Sequence, residues 1–257
     1  MTPDELLGRL LYRDGLMLII DKPAGLPVHA GPGGGANLEA LFDALRFGLP
    51  HPPALAHRLD RDTSGCLVLG RHRKALARLG KLFSTGHVEK TYWAIVEGAP
   101  PDDRGRIELP LKKRTPKSGW HVAVDKDGQR AVTDYRLLGA SGALSWLELK
   151  PQTGRTHQIR VHCAALGCPV LGDRIYGRHG QYRSEEAKPA NDPVGSRRPP
   201  VAPLHLHARA ISVPLYYPKK PPIVAEALPP PHMLEALIAC GYVPESGKPV
   251  PDRAASA

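Results

Sequence analysis

Short apolar runs separated by turn residues dominate the pattern of hydrophobic and polar positions along this chain. The runs are rich in β-branched and aromatic side chains and are bounded by glycine and proline, which is typical of strands. The predicted strands are 16–20, 66–69, 90–98, 107–111, 121–124, 131–138, 144–149 and 204–213. Asp127-Gly128 has the composition of a hairpin turn between two of them. So many strands in succession predict an α+β fold, a mostly antiparallel mixed sheet flanked by helices.

Helical periodicity is confined to a few segments between these strands. Leu76, Leu79 and Leu82 recur at helical spacing, and Gly86 provides a stop signal. Further predicted helices lie within 1–11, over 38–45 after an N-cap at Asn37, and over 232–239. Another helix, with Ile159, Cys163 and Leu166 on its buried face, is predicted to continue to Gly167.

The 257-residue chain shows no internal repeat and no clear linker. We therefore predict a single domain over 1–245. A polar, proline-bearing stretch at about 178–203 predicts an insertion or a mobile loop inside that domain. The last residues, 246–257, predict a disordered tail.

The composition narrows the class of protein. A formal net charge of +10 and a sequence pI of about 9.6 favour a polyanionic partner, although a basic chain also gains solubility. The four cysteines form no C-x-x-C pair, and no signal peptide or run of membrane-spanning length is visible. We therefore expect a cytoplasmic protein that does not enter a membrane.

The candidate chemistry centres on one charged loop. His57-Arg58-Leu59-Asp60 leads into Thr63-Ser64-Gly65 and then into the apolar strand 66–69. This order places Asp60 on a loop that feeds the sheet, where reacting side chains are usually displayed. For one aspartate in a polar segment, a solvated turn is the alternative interpretation.

The loop at 57–65 and several segments after and before it resemble the motifs of one known family, in the order that the family has them. The string His-Arg-Leu-Asp-x-x-Thr-Ser-Gly at 57–65 resembles the active-site signature of the RluA-type pseudouridine synthases. The segments Val28-His29, Lys90-Thr91-Tyr92 and 153–162 (Thr-Gly-Arg-Thr-His-Gln-Ile-Arg-Val-His) resemble further motifs of that family. The patterns Gly-x-Pro-x-x-Gly-Asp-x-x-Tyr at 167–176 and Leu-x-Leu-His-Ala at 204–208 continue the match, which covers roughly 16–215.

The resemblance implies a reaction and three catalytic residues. Pseudouridine formation breaks the uridine N1–C1′ bond, turns the base and joins C5 to C1′. Asp60 matches the family's essential carboxylate, which either attacks as a nucleophile or stabilises and deprotonates the sugar. Arg160 matches the cation that keeps this carboxylate ionised. Tyr92 matches a tyrosine whose ring stacks on the uracil and whose hydroxyl could assist removal of the C5 proton.

The resemblance also implies three substrate-binding residues. Arg58 matches the position that enters the space left by a flipped nucleotide, and a structural salt bridge to Asp60 or Asp62 is the alternative. His57 is expected to order the loop rather than to transfer protons. Arg155 is expected to be structural or to contact phosphate.

The expected partner is ribosomal or transfer RNA, with no cofactor and no metal, and the expected state is a monomer. Only about 15 residues precede the first predicted strand, which leaves no room for an N-terminal RNA-binding domain. Basic residues of 73–81, 112–117 and 178–198 are then expected to grip the RNA.

Three other hypotheses about the function compete with a pseudouridine synthase. A zinc site could draw on nearby residues of ligand type, but the spacing of five between His157 and His162 does not place both on one helical face. The candidates are His157, His162, Cys163 and Cys168, with His205 and His207 further along the chain. A glycosidase would need a paired acid and nucleophile, and only Asp62 lies near Asp60 in sequence. A non-catalytic RNA-binding protein would suit the basic charge but would not need Asp60, Tyr92 and Arg160 together.

Overall fold

A ten-stranded sheet forms the centre of the structure, a computed structural model that describes residues 1–31, 34–115, 120–178 and 202–244. Its strands, together with those of a separate two-stranded sheet, are β1 (Leu10–Arg13), β2 (Met17–Lys22), β3 (Ala54–Leu55), β4 (Ser64–Gly70), β5 (Glu89–Glu97), β6 (Arg104–Glu108), β7 (Leu111–Arg114), β8 (His121–Val124), β9 (Val132–Ser141), β10 (Leu144–Pro151), β11 (Leu206–Val213) and β12 (Ile223–Glu226). The helices are α1 (Pro3–Leu7), α2 (Arg73–Ser84), α3 (Gln158–Ala165), α4 (Pro231–Ala239) and a 3-10 helix (Glu39–Leu45).

The strand order in the large sheet is β1-β2-β4-β11-β5-β10-β9-β6, with β3 and β12 paired to β4 and β11. Strands β4 and β11 run parallel, and the other pairs recorded for the described residues are antiparallel. β7 and β8 form the separate sheet. The prediction of a mostly antiparallel mixed sheet in an α+β fold is therefore confirmed.

Both faces of the large sheet are covered. On one face, the 3-10 helix packs over Leu67 and Leu69 of β4, and α3 packs over β5 and β10. On the opposite face, α2 packs against Cys66 and Val68, and α4 packs against β5. Alternate residues of a strand point to opposite faces, so β4 is buried on both sides. Tyr92 on β5 contacts both clusters of the first face, at the middle of the sheet.

The parallel junction between β4 and β11 requires glycine at position 65. Gly65 pairs with Ala208 and has φ of +104°. A Cβ at this position would lie 2.2 Å from the carbonyl oxygen of Ala208. The glycine therefore allows the end of the Asp60 loop to join the sheet beside a strand that comes from the distant part of the chain.

The same junction contains a buried histidine that makes stability depend on pH. His207 is fully buried, with Nδ1 2.8 Å from the Ser64 hydroxyl and Nε2 3.1 Å from the Ala227 carbonyl oxygen. Burial lowers the pKa of His207 to about 4. The folded state therefore holds the neutral ring, and unfolding takes up a proton once the pH is below about 6.5.

We expect His207 alone to reduce the free energy of unfolding by about 2 kcal/mol between pH 7 and pH 5. Urea unfolding of the wild-type protein and of His207→Gln at both pH values measures this, because the variant should lose less stability on acidification. The exposed His51 provides the matched control, and His51→Gln should keep the wild-type dependence. An equal pH dependence in His207→Gln and the wild-type protein would contradict the assignment.

Local structure departs from the sequence predictions in several places. The N-terminal helix ends at Leu7, because residues from Leu10 onward pair with β2 as strand β1. The single strand predicted over 107–111 is split into β6 and β7 by Leu109 and Pro110. Asn37 accepts a hydrogen bond from the amide of Ala40, but the helix that follows is of 3-10 type.

The hairpin predicted at Asp127-Gly128 is also wrong. A turn is present there, with the Gly128 amide donating to the Asp125 carbonyl, but β8 pairs with β7 rather than with β9. Strand β9 already has β10 and β6 on its two edges. It therefore has no free edge for β8.

Most of the predicted insertion at 178–203 and the whole predicted tail at 246–257 lie outside the described residues. The domain range of 1–245 stays a prediction. Within the described ranges, no helix combines the length and the apolar character that crossing a membrane would require.

Candidate active site

Packing fixes the loop that carries Asp60 on both of its sides. Leu59 is buried in the cluster under the 3-10 helix. His57 accepts a hydrogen bond from the amide of Val68 through Nε2 and stacks on Phe83 at a centroid distance of 4.4 Å. Burial lowers the pKa of His57 to about 3, so the ring is neutral when it accepts this bond. Its expected role in ordering the loop agrees with these contacts.

A buried lysine also holds the Asp60 loop in place, through a hydrogen bond to its backbone. Lys22, at the end of β2, is fully buried, and its ammonium donates to the carbonyl oxygens of Pro23, Leu26 and Arg61 at 2.7, 2.7 and 2.9 Å. Burial lowers the pKa of Lys22 to about 8, although the nearby carboxylates, Asp62 first among them, act in the opposite direction. Three carbonyl partners satisfy the three ammonium hydrogens, so the loop after Asp60 is tied to the end of β2.

Arg160 is held by a second buried carboxylate. Its Nε and one terminal nitrogen donate to the two oxygens of Asp173 at 2.7 and 2.8 Å, in a bidentate pair. Asp173 is 0% exposed in its side chain and also accepts from the amides of Ile175 and Tyr176. Burial alone would lower the pKa of Arg160, but the bond and charge of Asp173, together with Asp60, raise it. Arg160 is therefore a permanent cation with a fixed orientation.

Asp60 lies within reach of this cation. One oxygen of its carboxylate is 3.6 Å from the other terminal nitrogen of Arg160 and 3.8 Å from Nε2 of His157. The side chain of Asp60 is 22% exposed, while that of Arg160 is 7% exposed. A nearby cation favours the ionised form of a carboxylate. The geometry brings Asp60 and Arg160 together, although they are 100 residues apart in sequence.

A cavity of about 510 Å³ lies beside Asp60 and is lined by Tyr92. Its volume is in the range of ligand pockets, about 300–1,000 Å³. Burial, and next the charge of Asp60, raise the pKa of Tyr92 above its usual value of 10.0. The phenol therefore stays protonated near neutral pH, where its ring offers a flat face but its oxygen is a poor base.

The remaining predicted site residues also line this cavity: His57, Arg58 and Arg155. Arg58 is exposed, and no ion pair to Asp60 or Asp62 is recorded for it within the described residues. Arg155 is exposed and donates from Nε to the carbonyl oxygen of Arg130 at 3.2 Å. The structure thus brings all six predicted residues to the wall of one cavity, with Arg58 free of the alternative salt bridge.

Two of the histidines considered as zinc ligands, His157 and His162, lie within hydrogen-bond distance of other protein groups. His157 Nδ1 is 2.8 Å from the Tyr176 hydroxyl, whereas His162 contacts the Thr133 hydroxyl and the Leu109 carbonyl oxygen. Across the parts of the chain that the structure describes, no three side chains of His, Cys, Asp or Glu converge as metal ligands would.

The sequence matches one family over most of this site. Residues 16–165 match the family model described as RNA pseudouridylate synthase. This range includes Asp60, Tyr92 and Arg160 and covers more than half of the chain.

The chain belongs to the RNA pseudouridine synthase family.

Individual members of this isomerase family agree with the assignment. An uncharacterized RNA pseudouridine synthase of Zymomonas mobilis is 49% identical over 176 residues, which are 68% of this chain and 80% of that protein. The mitochondrial pseudouridylate synthase RPUSD4 of Xenopus tropicalis is 34% identical over 82% of this chain and 73% of its own length. The chain spans about half the length of two other curated relatives, from Synechocystis and Arabidopsis thaliana.

A solved structure of another pseudouridylate synthase has the same fold as this chain. Human RNA pseudouridylate synthase domain containing 4 superposes with a TM-score of 0.72 at 29% identity. The superposition covers 92% of this chain and 94% of that one. The fold is therefore that of the pseudouridine synthases.

Residues that the sequence interpretation missed surround the predicted ones. Asp173 and Tyr176 belong to the matching pattern at 167–176, but the sequence predicts no role for them. Lys22 lies just after the predicted strand 16–20, and His157 lies in the matching segment 153–162 without a predicted role in the reaction. The signal for Asp173 was present in the motif at 167–176, but its pairing with Arg160 exists only in the folded chain.

Proposed function

We propose that this pseudouridine synthase isomerises specific uridines of ribosomal or transfer RNA and that Asp60 is its catalytic carboxylate. The observation that carries the proposal is the position of Asp60 at the wall of a 510 Å³ cavity, 3.6 Å from the fixed cation Arg160. An ionised carboxylate in a partly water-excluded site can act either as a nucleophile or as a base.

The reaction balances without a co-reactant. The N1–C1′ bond of uridine breaks, the base turns within the site, and C5 joins C1′. C5 then loses its proton to solvent, and N1 gains one, so the product is an isomer of the substrate. We propose that Asp60 acts at the sugar and that the ring of Tyr92 supports the detached uracil by stacking.

The target nucleotide must leave its base stack to reach the cavity. Flipping costs a few kcal/mol, roughly, and the cost is smallest for a base that is already unpaired. We propose that Arg58 enters the space left by the flipped nucleotide, because its guanidinium can stack and bind phosphate at the same time. Single-stranded loops of RNA suit this mechanism best.

Basic side chains near the cavity provide the proposed grip on the RNA backbone. Arg73, Lys74, Arg78 and Lys81 are exposed along α2, whose end lines the cavity. Three more exposed cations lie on the two-stranded sheet: Lys112, Lys113 and Arg114. Of these, Lys112 and Arg114 contact Asp125, so Lys113 is the cation of this strand without a carboxylate partner among the described residues.

The decisive experiment maps pseudouridines in total RNA from a deletion strain and from its parent. We expect at least one site in ribosomal or transfer RNA to disappear and to return with the intact protein but not with the Asp60→Asn variant. A strain that loses no site would contradict the proposed function. A site restored by Asp60→Asn would instead contradict the role of Asp60.

A change at Arg58 tests base flipping separately. We expect Arg58→Ala to lower kcat/KM about 10- to 100-fold, which corresponds to losing part of the few kcal/mol that flipping costs. The measurement is release of tritium from RNA labelled at uracil C5. Arg61→Ala is the matched control in the same loop, because Arg61 donates from Nε to the Gly25 carbonyl oxygen and does not line the cavity. Equal rates for Arg58→Ala and the wild-type enzyme would exclude the role.

A further inference from the structure

A buried histidine in a left-handed backbone conformation lies close to Asp60 and lines the same cavity. His157 has φ of +53°, a left-handed conformation that is uncommon for a residue with a side chain, and it immediately precedes α3. Its side chain is 8% exposed, with Nε2 3.8 Å from the Asp60 carboxylate. Strain of this kind persists where the surroundings hold a side chain in a needed position.

The contacts of Tyr176 determine which nitrogen of His157 carries the proton. The Tyr176 oxygen accepts a hydrogen bond from the amide of Val122 at 2.9 Å and lies 2.8 Å from His157 Nδ1. The hydroxyl has one hydrogen to donate, and Nδ1 is the acceptor within its reach. We assign the hydroxyl as the donor of this bond, which requires an unprotonated Nδ1, so a neutral ring carries its hydrogen on Nε2, 3.8 Å from Asp60.

Trp120 covers the ring from the two-stranded sheet. Its indole stacks on the imidazole of His157 at a centroid distance of 5.0 Å and an interplanar angle of 29°. Trp120 is itself 45% exposed, and the Lys113 ammonium lies 4.9 Å from the centroid of its ring. The strand that carries basic residues is therefore connected through Trp120 to the residue beside Asp60.

The charges around His157 come from three directions. The carboxylate of Asp60 and, more remotely, that of Asp173 favour a protonated ring, whereas Arg160 and Arg58 disfavour it. The Lys113 ammonium of the two-stranded sheet lies against the Trp120 ring, which in turn stacks on His157. Burial has the largest effect and lowers the pKa of His157 below 6.5, so the ring is neutral near neutral pH.

We propose that His157 is a positioning residue for Asp60, held by Tyr176 and Trp120 as an uncharged N–H donor that aligns the carboxylate with the sugar. This inference rests on the proposed function and adds a residue to it. The distance of 3.8 Å is longer than a hydrogen bond. Contacts of this kind often shorten when the substrate binds. A neutral donor aligns Asp60 without the strong ion pair that a protonated ring would form with it.

Two substitutions at position 157 show whether His157 acts by donating a hydrogen bond to Asp60 or only by supporting the local structure. An asparagine tolerates the left-handed conformation well, and its amide reaches only the place of Nδ1. A glutamine places its amide nitrogen near the position of Nε2. We expect His157→Asn to fold and to lower kcat about 10- to 100-fold with KM within about twofold, since a bond to a charged group is lost. We expect His157→Gln to recover most of kcat.

A change at Trp120 tests how the His157 ring is kept neutral, with a titration that does not depend on activity as the main measurement. Removing the indole lets water reach the imidazole, so we expect Trp120→Ala to raise the pKa of His157 toward 6.5, while Trp120→Phe keeps it low. The titration is followed by NMR of the imidazole hydrogens in the protein without RNA. The acidic limb of the kcat profile should move to higher pH in Trp120→Ala, because a protonated His157 would bind Asp60 as an ion pair.

The outcomes are distinguishable from failure of the proposed function. Wild-type activity that depends on Asp60, together with an unchanged kcat in His157→Asn, would overturn the positioning role alone. An unchanged His157 titration in Trp120→Ala would overturn the role of Trp120. A wild-type protein that releases no tritium from total RNA of the deletion strain would reject the proposed function. In that case, the NMR titration would still decide whether Trp120 keeps the ring neutral.

Discussion

The Asp60→Asn variant should form pseudouridine at least about 10⁴-fold more slowly than the wild-type enzyme, as expected for the loss of a residue that reacts directly. Asparagine has nearly the same shape but no charge, so it can neither attack the sugar nor accept a proton from it. Release of tritium from RNA labelled at C5 gives the rate. Formation of the product is checked by digesting the RNA and analysing its nucleosides.

The controls for this variant lie in the same loop and in the same binding assay. Asp62 is exposed and two residues away, so Asp62→Asn should keep its rate within a few-fold of the wild-type value. RNA binding by Asp60→Asn should persist, because removing an anion does not weaken attraction to phosphates. Turnover by Asp60→Asn above a few per cent of the wild-type rate would mean that another group reacts.

Stability should also be preserved in Asp60→Asn, because Arg160 keeps its bidentate pair with Asp173. Asp60 contributes a contact of 3.6 Å in a partly exposed position, which is worth little to folding. Urea unfolding should therefore give nearly the same midpoint as for the wild-type protein. Under the proposed function, the two carboxylates near Arg160 have separate tasks: Asp173 holds the cation, and Asp60 takes part in the reaction.

Most strands could be predicted from the sequence, whereas their order across the sheet could not. The runs over 121–124 and 144–149 are nearly the observed β8 and β10, because short apolar runs bounded by turn residues are visible in the local sequence. The position of β11 between β4 and β5 depends on packing between segments more than 100 residues apart. No local pattern records such pairing, and the wrong hairpin at Asp127-Gly128 has the same origin.

The site divides in a similar way. The approach of Asp60 and Arg160 could be expected from the resemblance to a family. Lys22 could not, since a lysine at the end of an apolar strand normally faces water. It is buried because the carbonyl oxygens of Pro23 and Leu26, from the segment after β2, and of Arg61, from the Asp60 loop, converge on its ammonium. Trp120 was likewise unremarkable in sequence, because its contact with His157 joins a strand pair to a helix start.

The largest expected loss of stability comes from Asp173→Asn. This change leaves the guanidinium of Arg160 buried without a counter-charge of comparable quality, which typically costs about 3–5 kcal/mol of the free energy of unfolding. Asparagine can still accept a hydrogen bond from the amides of Ile175 or Tyr176, so the turn is preserved and the lost charge is isolated. Urea unfolding at pH 7 measures the difference.

A surface pair provides the matched control. Asp43 accepts from Arg46 at 2.8 Å, but its side chain is 72% exposed, so Asp43→Asn should cost less than about 1 kcal/mol of the free energy of unfolding.

The stabilisation by Asp173 should depend on pH. Burial would raise the pKa of Asp173, but Arg160 and the two amides lower it below 3.8. The stabilisation is therefore complete above pH 3.8 and is lost as the pH falls through the folded-state pKa. The difference in free energy of unfolding between the wild-type protein and Asp173→Asn should therefore become smaller as the pH falls below 3.8.

A second substitution distinguishes the cost of an unpaired charge from a general loss of packing. In the double variant R160M/D173N neither member of the buried pair is charged, and the methionine side chain fills much of the space of the guanidinium stem. Replacing a buried pair by apolar groups is often neutral for stability. We therefore expect the double variant to recover most of the stability lost in Asp173→Asn, while its turnover stays low because Asp60 has lost its cation. A double variant no more stable than Asp173→Asn would show that the pair acts through packing rather than through charge.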